Sequence, residues 1–365
     1  MLDCQLYTEQ NAVDWLGREW GEVVEADPEA TFFQQWRWNQ VWWQRYGRRN
    51  RPLIALFRDG ATPVGLAPLY ISRAPTGHKI ARFLGTGPSD YGDIIAHPDY
   101  REEVIGDLGR LLLRELGLVL DLQQLREDSP TLVPLERALG LEGGSPRKLV
   151  QERAFTLDLP ADWDAMLARL GTKTRYNVKY YRRRLHRDHR VELVENPVPQ
   201  EIDQAMGVFF DLHQRRWRKR FLPGLFLFSG YRRYHLDVAR SFLDAGQLLL
   251  CRLRIDGREA AAFYGFRYRE ADYFYLGGFD PDFAHLSVGT VLVGEMISRA
   301  IGAGSRRFEF LRGEEAYKSR WKASGKVNYR LLAAPGSVRS SFYLALMAKE
   351  NTMVLKAKSR LRGGL

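Results

Sequence analysis

The chain has 365 residues, 45% of them hydrophobic and 27% charged, with a net charge of +11. This composition excludes a disordered or fibrous chain, and the length suits two domains of about 100–200 residues each. Two cysteines, Cys4 and Cys251, and seven scattered histidines give neither a disulfide framework nor a metal-ligand pattern.

Taken in chain order, the first residues, Met1 to Gln5, lack a basic and apolar secretion signal. No apolar run reaches the ~18 residues of a membrane span, so the cytoplasm is the expected compartment. The aromatic stretch from Phe32 to Trp43 reads as a helix whose tryptophans pack in a core. Residues 52–72 read as strand, Asp59-Gly60 turn, strand, because Asp-Gly between apolar runs is a hairpin signal. A strand ending in Gly85 follows, then an apolar helix over 102–116 and a strand over 118–122.

The same five elements recur roughly 190–200 residues later. They are a hairpin over 247–269 with an Asp256-Gly257 turn, a strand over 274–278, a helix over 289–303 and a strand over 307–311. This order predicts a tandem repeat. Between the copies lie a turn-rich break at Gly143-Gly144-Ser145-Pro146, basic helices over 162–187, a short strand at 191–195 and a helix over 199–219. The expected division is residues 1–145, residues 146–335 and a tail of 336–365. The tail reads as a helix that mixes Phe342, Leu346 and Met353 with Lys349, Lys356, Lys358, Arg360 and Arg362. It suits docking on the protein or on a membrane surface.

Positive charge is concentrated. Residues 169–190 hold nine Arg/Lys and one acid, and residues 213–220 hold five and none. Such runs attract phosphate-bearing partners, whether a nucleotide cofactor, an anionic lipid or RNA. A solvated helix face is the plainer reading of each.

The chemistry-bearing residues cluster in the second copy. Ser287-Val288-Gly289-Thr290 opens the helix with small residues, and helix-start N–H groups hold phosphate. A plain N-cap by Ser287 is the alternative. Leu276 and Gly277 end the preceding strand, and the glycines there permit close approach of a ligand. Glu309 stands among apolar strand neighbours, where a carboxylate is costly unless used; as a base its pKa would be raised by burial. The other reading puts it on a solvent face. Glu315 is a second base candidate or a helix cap, and His213 a third candidate or a surface imidazole.

The order of elements resembles the GNAT acyltransferase superfamily. Ser287-Val288-Gly289-Thr290-Val291-Leu292, the stretch Phe310-Leu311-Arg312-Gly313-Glu314-Glu315-Ala316-Tyr317-Lys318-Ser319-Arg320-Trp321, Leu212 to Trp217 and Lys173 to Asn177 resemble its CelD-like branch. That branch is similar to the FemABX peptidyltransferases, which carry two such units, and bacterial ceramide synthases are also similar. Ser287 departs from the family pattern, which usually has glycine there.

The resemblance implies an α/β (mixed α+β) fold: two tandem GNAT-like units, each a mixed central sheet flanked by helices, with a basic C-terminal helix. It implies transfer of an acyl group from acyl-CoA, acetyl or longer, to a primary amine without a metal. The acceptor would be a small molecule, a sphingoid-like lipid amine, or an envelope or polysaccharide amine. In that scheme Tyr317 is the general acid, with a packed aromatic as the plainer reading. Leu276, Gly277, Ser287, Val288, Gly289 and Thr290 hold the cofactor, and Arg312, Lys318, Trp321 and Trp217 face the substrate. A peripheral position at the inner face of a membrane goes with a lipid acceptor. Two other readings stand beside this one: an aminoacyl-tRNA-dependent transferase, and a non-catalytic scaffold in envelope assembly.

Overall fold

The computed structural model describes residues 2–219 and 223–363. Arg220, Phe221 and Leu222, and the side chains of Lys358, Arg360 and Arg362, lie outside the described residues. The chain divides into one unit of Met1–Arg153 with Lys326–Leu365 and another of Ala154–Gly325. Residues 146–153 and 326–335 therefore group with the first unit, not with the second as expected.

In chain order the first unit holds β1 (Asp3–Tyr7), α1 (Ala12–Trp15), α2 (Gly17–Ala26), α3 (Trp36–Tyr46), β2 (Arg51–Asp59) and β3 (Thr62–Arg73). It continues with β4 (Lys79–Phe83), β5 (Ile95–Ala96), α4 (Arg101–Arg110), β6 (Val119–Arg126) and α5 (Leu132–Leu141). Strand β7 (Arg147–Asp158) carries the chain across the boundary. The second unit adds α6 (Trp163–Arg169), α7 (Thr172–Asp188), β8 (Val191–Val194), α8 (Ile202–Arg218), α9 (Ser229–Asp244), β9 (Leu248–Ile255) and β10 (Arg258–Tyr268). It closes with β11 (Ala271–Phe279), α10 (Val288–Gly302), β12 (Arg307–Arg312) and α11 (Ala316–Arg320). The chain then returns to the first unit as β13 (Ser324–Ala333) and α12 (Val338–Gly363).

The first unit's sheet runs β1-β2-β3-β4-β6-β13, with β5 on β3. Val104, Ile105, Leu108, Leu135 and Leu139 of α4 and α5 pack on it in the main core. Trp38, Trp42 and Trp43 are buried, as the aromatic stretch predicted. Helix α12 docks through Leu344 and Met347 on Ile80, Val119 and Leu332. Its Asn351 donates to the Val150 carbonyl at 2.9 Å.

The second unit's sheet runs β7-β12-β11-β10-β9-β8. Both central residues of its Asp-Gly hairpin turn have positive φ, +50° at Asp256 and +79° at Gly257, the geometry that matches strand twist. Val178 and Leu185 of α7 and Val291, Leu292 and Ile297 of α10 pack with Phe263, Phe308 and Phe310. The alternate side chains Tyr264 and Phe266 meet Phe209 of α8 and Phe242 of α9, so the helices cover both faces of the sheet. Among the described residues no helix is long and apolar enough to cross a membrane.

Candidate active site

Strands β11 and β12 begin as parallel neighbours and then part. They pair from Ala271↔Arg307 to Tyr273↔Glu309 and no further. Beyond that point β11 stays on β10, with a bulge at Tyr275 between Tyr264↔Leu276 and Gly265↔Phe274. Strand β12 stays on β7 and bulges at Phe310. The parting opens a cleft of about 240 Å³. Phe274, Gly277 and Phe279 line it from β11, Ser287 to Thr290 from the start of α10, and Tyr317 and Trp321 from α11 and its end.

Ser287 sits in the left-handed region at φ +53°, a conformation glycine adopts without the Cβ penalty. Its hydroxyl makes no capping bond, so the plain N-cap reading fails. Its carbonyl accepts from Thr290 N (2.9 Å) and Val291 N (3.1 Å). The Val288 and Gly289 amides belong to the first turn of α10, whose N–H groups have no acceptor within the helix itself, and a Cβ built on Gly289 would meet nothing within 4 Å. The first turn of α10 contains no acid. An acid-free helix start with a glycine facing open space fits a phosphate group. Thr290 lines the cleft, but its amide already donates to the Ser287 carbonyl.

The double glycine has a different cause from the one expected. A Cβ on Gly278 would lie 2.4 Å from the His213 nitrogen, and one on Gly277 would lie 2.8 Å from the Phe274 ring. Gly278 lets the backbone of α8 pack directly on β11. Leu276 is half-buried within β11 and is not among the cleft-lining residues.

Tyr317 faces the cleft with Phe310 edge-on at 5.9 Å. Burial, then the neighbouring Glu315 carboxylate, pushes its phenol well above the ordinary range. Trp321 is buried and packs toward Gly294 of α10. Arg216, which the sequence reading left within a basic run, also lines the cleft. It donates to the Gly277 carbonyl at 3.2 Å and lies over the Phe279 ring.

Glu309 is 5% exposed, which excludes the solvent-facing reading. It sits at the last β11–β12 pair, where the strands separate, and Thr156 Oγ1 donates to its carboxylate at 2.8 Å. It is not among the cleft-lining residues.

Lys318 is 2% exposed. Its ammonium donates to the carbonyls of Leu311 (3.0 Å), Arg312 (2.8 Å) and Gly313 (3.0 Å) and pairs with Glu315 at 3.0 Å. This clamp fixes the turn in which Leu311 and Gly313 take positive φ, and so sets Tyr317 one residue before it. The expected substrate role of Lys318 is displaced by this structural one. Burial alone would raise the Glu315 carboxyl, but Lys318 holds it below the usual range. Arg312 stands at the end of β12, half-buried and outside the cleft lining.

His213 is buried, not at the surface as expected. Its Nε2 accepts from Trp217 Nε1 at 3.0 Å, which puts the ring proton on Nδ1, an atom with no hydrogen-bond partner among the described residues. Burial, with Arg216 beside it, pushes its pKa down to about 3. Trp217 is thereby committed to His213.

Residues 172–319 match the acetyltransferase (GNAT) domain family. The chain carries a GNAT N-acyltransferase domain. The GNAT match spans the parted strands and every cleft-lining residue but Trp321. The crystal structure of FemX is similar to the chain at a TM-score of 0.69 and 9% identity, over 94% of this chain and 99% of that one. A conserved protein of unknown function from Bacteroides thetaiotaomicron is similar at a TM-score of 0.59 and 10% identity, over 90% of this chain and 100% of that one. At these identities the likeness is one of fold, the tandem architecture included. No curated protein matches.

Proposed function

We propose that the chain moves an acyl group from acyl-CoA to a primary amine, the acceptor being a lipid or an envelope or polysaccharide amine. One observation carries this reading. A single cleft in the GNAT domain brings together the first turn of α10, the edge of a parted strand and the Tyr317 phenol. Acyl-CoA would supply an activated thioester.

The amides of Val288 and Gly289 would hold its diphosphate at the positive end of α10. The parted edge of β11 offers main-chain groups that β12 does not use. Tyr317 Oη, kept protonated by burial, gives its proton to the departing sulfur. Glu309 accepts the proton that the amine nitrogen loses as the new amide bond forms. It suits this role better than the other two candidates. Glu315 is held ionised by Lys318, which makes it a weak base, and His213 presents an N–H at Nδ1 rather than a lone pair.

Titration calorimetry with acetyl-CoA and a long-chain acyl-CoA tests the cofactor. Binding at one site per chain, lost when CoA competes, is the expected result. Well-folded protein that releases no heat with either ligand refutes it. Glu309→Gln is expected to keep acyl-CoA binding and lose about 10²–10⁴ in kcat. Unchanged turnover would move the base elsewhere.

A further inference from the structure

The segment from Leu212 to Leu236 contains seven Arg/Lys and no Asp or Glu. Its described part joins the end of α8 to the start of α9 through a short turn, Leu225–Leu227. Phe226 is fully buried there, with its ring 4.5 Å from that of Phe210 and 4.8 Å from that of His213. The turn is closed by Leu227 N donating to Gly224 O at 3.1 Å, and Arg232 Nε donates to the Phe226 carbonyl at 2.6 Å. With Phe226 anchored inward, its neighbours are turned out. Leu225 is 45% exposed, Leu227 59% and Phe228 65%.

Scattered exposed apolar residues are ordinary. Three large ones on one fastened turn are a different matter, because burying such a side chain is worth about 1.5–3 kcal/mol. Arg218, Lys219, Arg232 and Arg233 are exposed on the flanking helix ends, and none of them forms an ion pair among the described residues. An apolar tip among unpaired cations matches a medium that is hydrocarbon inside and anionic at its surface. RNA would use the cations but has nothing to receive two leucines, which offer no aromatic face for stacking.

We propose that this turn is a membrane-docking tip. Leu225, Leu227 and Phe228 enter a bilayer rich in anionic lipid, while Arg218, Lys219, Arg232 and Arg233 meet its phosphates. The cations begin two residues beyond Arg216, which lines the cleft, so docking would bring lipid to the cleft's edge. The inference does not depend on the cofactor, because its test reads membrane partition and not turnover.

The test is flotation of the full chain with vesicles of phosphatidylcholine, alone or mixed with phosphatidylglycerol, at low and high salt. Binding is expected only to the mixed vesicles and weakens with salt. Arg218→Gln with Lys219→Gln should cost about 30-fold in partition, about fivefold (~1 kcal/mol) per cation. Leu225→Ser, Leu227→Ser and Phe228→Ser together should cost at least about tenfold. Circular dichroism should be unchanged, since all five side chains lie at the surface. The proposal is overturned if the unmodified chain ignores anionic vesicles, or if the triple serine variant binds them normally. It also falls if Phe342→Ser with Met353→Ser, on the exposed side of α12, abolishes flotation instead. Binding to single-stranded RNA that the triple variant loses, without vesicle binding, would reassign the surface to nucleic acid.

Discussion

The first unit parts its strands as the second does, yet fills the gap. Strands β4 and β6 pair in parallel only at Ile80↔Val119 and Ala81↔Leu120. Past that point the unit's own loop enters. Gly92 N donates to Gln124 O at 3.0 Å, and a Cβ on Gly92 would lie 2.6 Å from the Gln123 carbonyl. Ser89, Asp90 and Tyr91 of the same loop are buried. The following helix, α4, has Glu102 and Glu103 in its first turn, which oppose an anion there. In the second unit the corresponding gap is an open cleft and the corresponding turn is free of acids. One supersecondary unit thus serves as filled scaffold or as ligand site, and a loop and two side chains decide which.

The largest expected effect breaks the chemistry of the open cleft alone. Tyr317→Phe should lower kcat by about 10²–10⁴ while leaving acyl-CoA affinity within a few-fold. Wild-type turnover in steady-state kinetics would remove Tyr317 from the mechanism. Because its phenol is pushed up, the alkaline limb of the kcat profile should lie above the ordinary tyrosine range.

Next comes the clamp, which has no counterpart in the filled gap. Lys318→Met strands three buried carbonyls and should cost about 3 kcal/mol in denaturant unfolding. A loss well under 1 kcal/mol would show that the turn holds itself. Turnover should fall with stability, since the turn sets Tyr317.

Gly289→Glu makes the second helix start resemble the first. It should weaken CoA about 10- to 100-fold by calorimetry through charge opposition at the amides. Glu102→Gln with Glu103→Gln is the reciprocal change, and CoA should still bind at one site per chain, because Gly92 and its loop remain in the gap. A second site in that variant would mean that charge, not filling, closes the first unit.

The last comparison is of pH. His213 and His235 titrate at about 3 in the folded chain against 6.5 ordinarily. Burial disfavours both cations, and their neighbours Arg216 and His213 add to it. Below pH 6.5 the unfolded chain binds protons that the folded chain refuses, so stability falls with pH. The loss should be about 2 kcal/mol per imidazole near pH 5, and His235→Phe should halve it. Equal unfolding midpoints at pH 7 and pH 5 would contradict the burial of these rings.

Local elements were legible wherever local chemistry specifies them. The Asp-Gly turns, the small-residue helix start and the repeated order of hairpin, helix and strand all stand in the fold. Strands β7 and β13 leave little trace in the local sequence, because β7 is mostly half-exposed and polar, and each depends on partners far away in the chain. The site was legible in its cofactor end and poorly legible in its polar contacts. Nothing in the sequence distinguishes Arg216 from the other cations of its run, since only the packing of α8 on β11 decides which one turns inward. Lys318 reads as a surface amine until three carbonyls of a strained turn are found around it. Gly278 signals close approach correctly, but the approaching group is a helix backbone.

The return of β13 and α12 to the first unit bears on biosynthesis. Because β13 pairs with β6 and α12 covers Ile80 and Val119, the amino-terminal half stays incomplete until β13 and α12 have been translated. The interposed half has all its strands available earlier. The catalytic part can therefore mature on the ribosome before the scaffold that precedes it, and a premature stop soon after Lys326 would leave the older segment, not the younger, exposed to proteases.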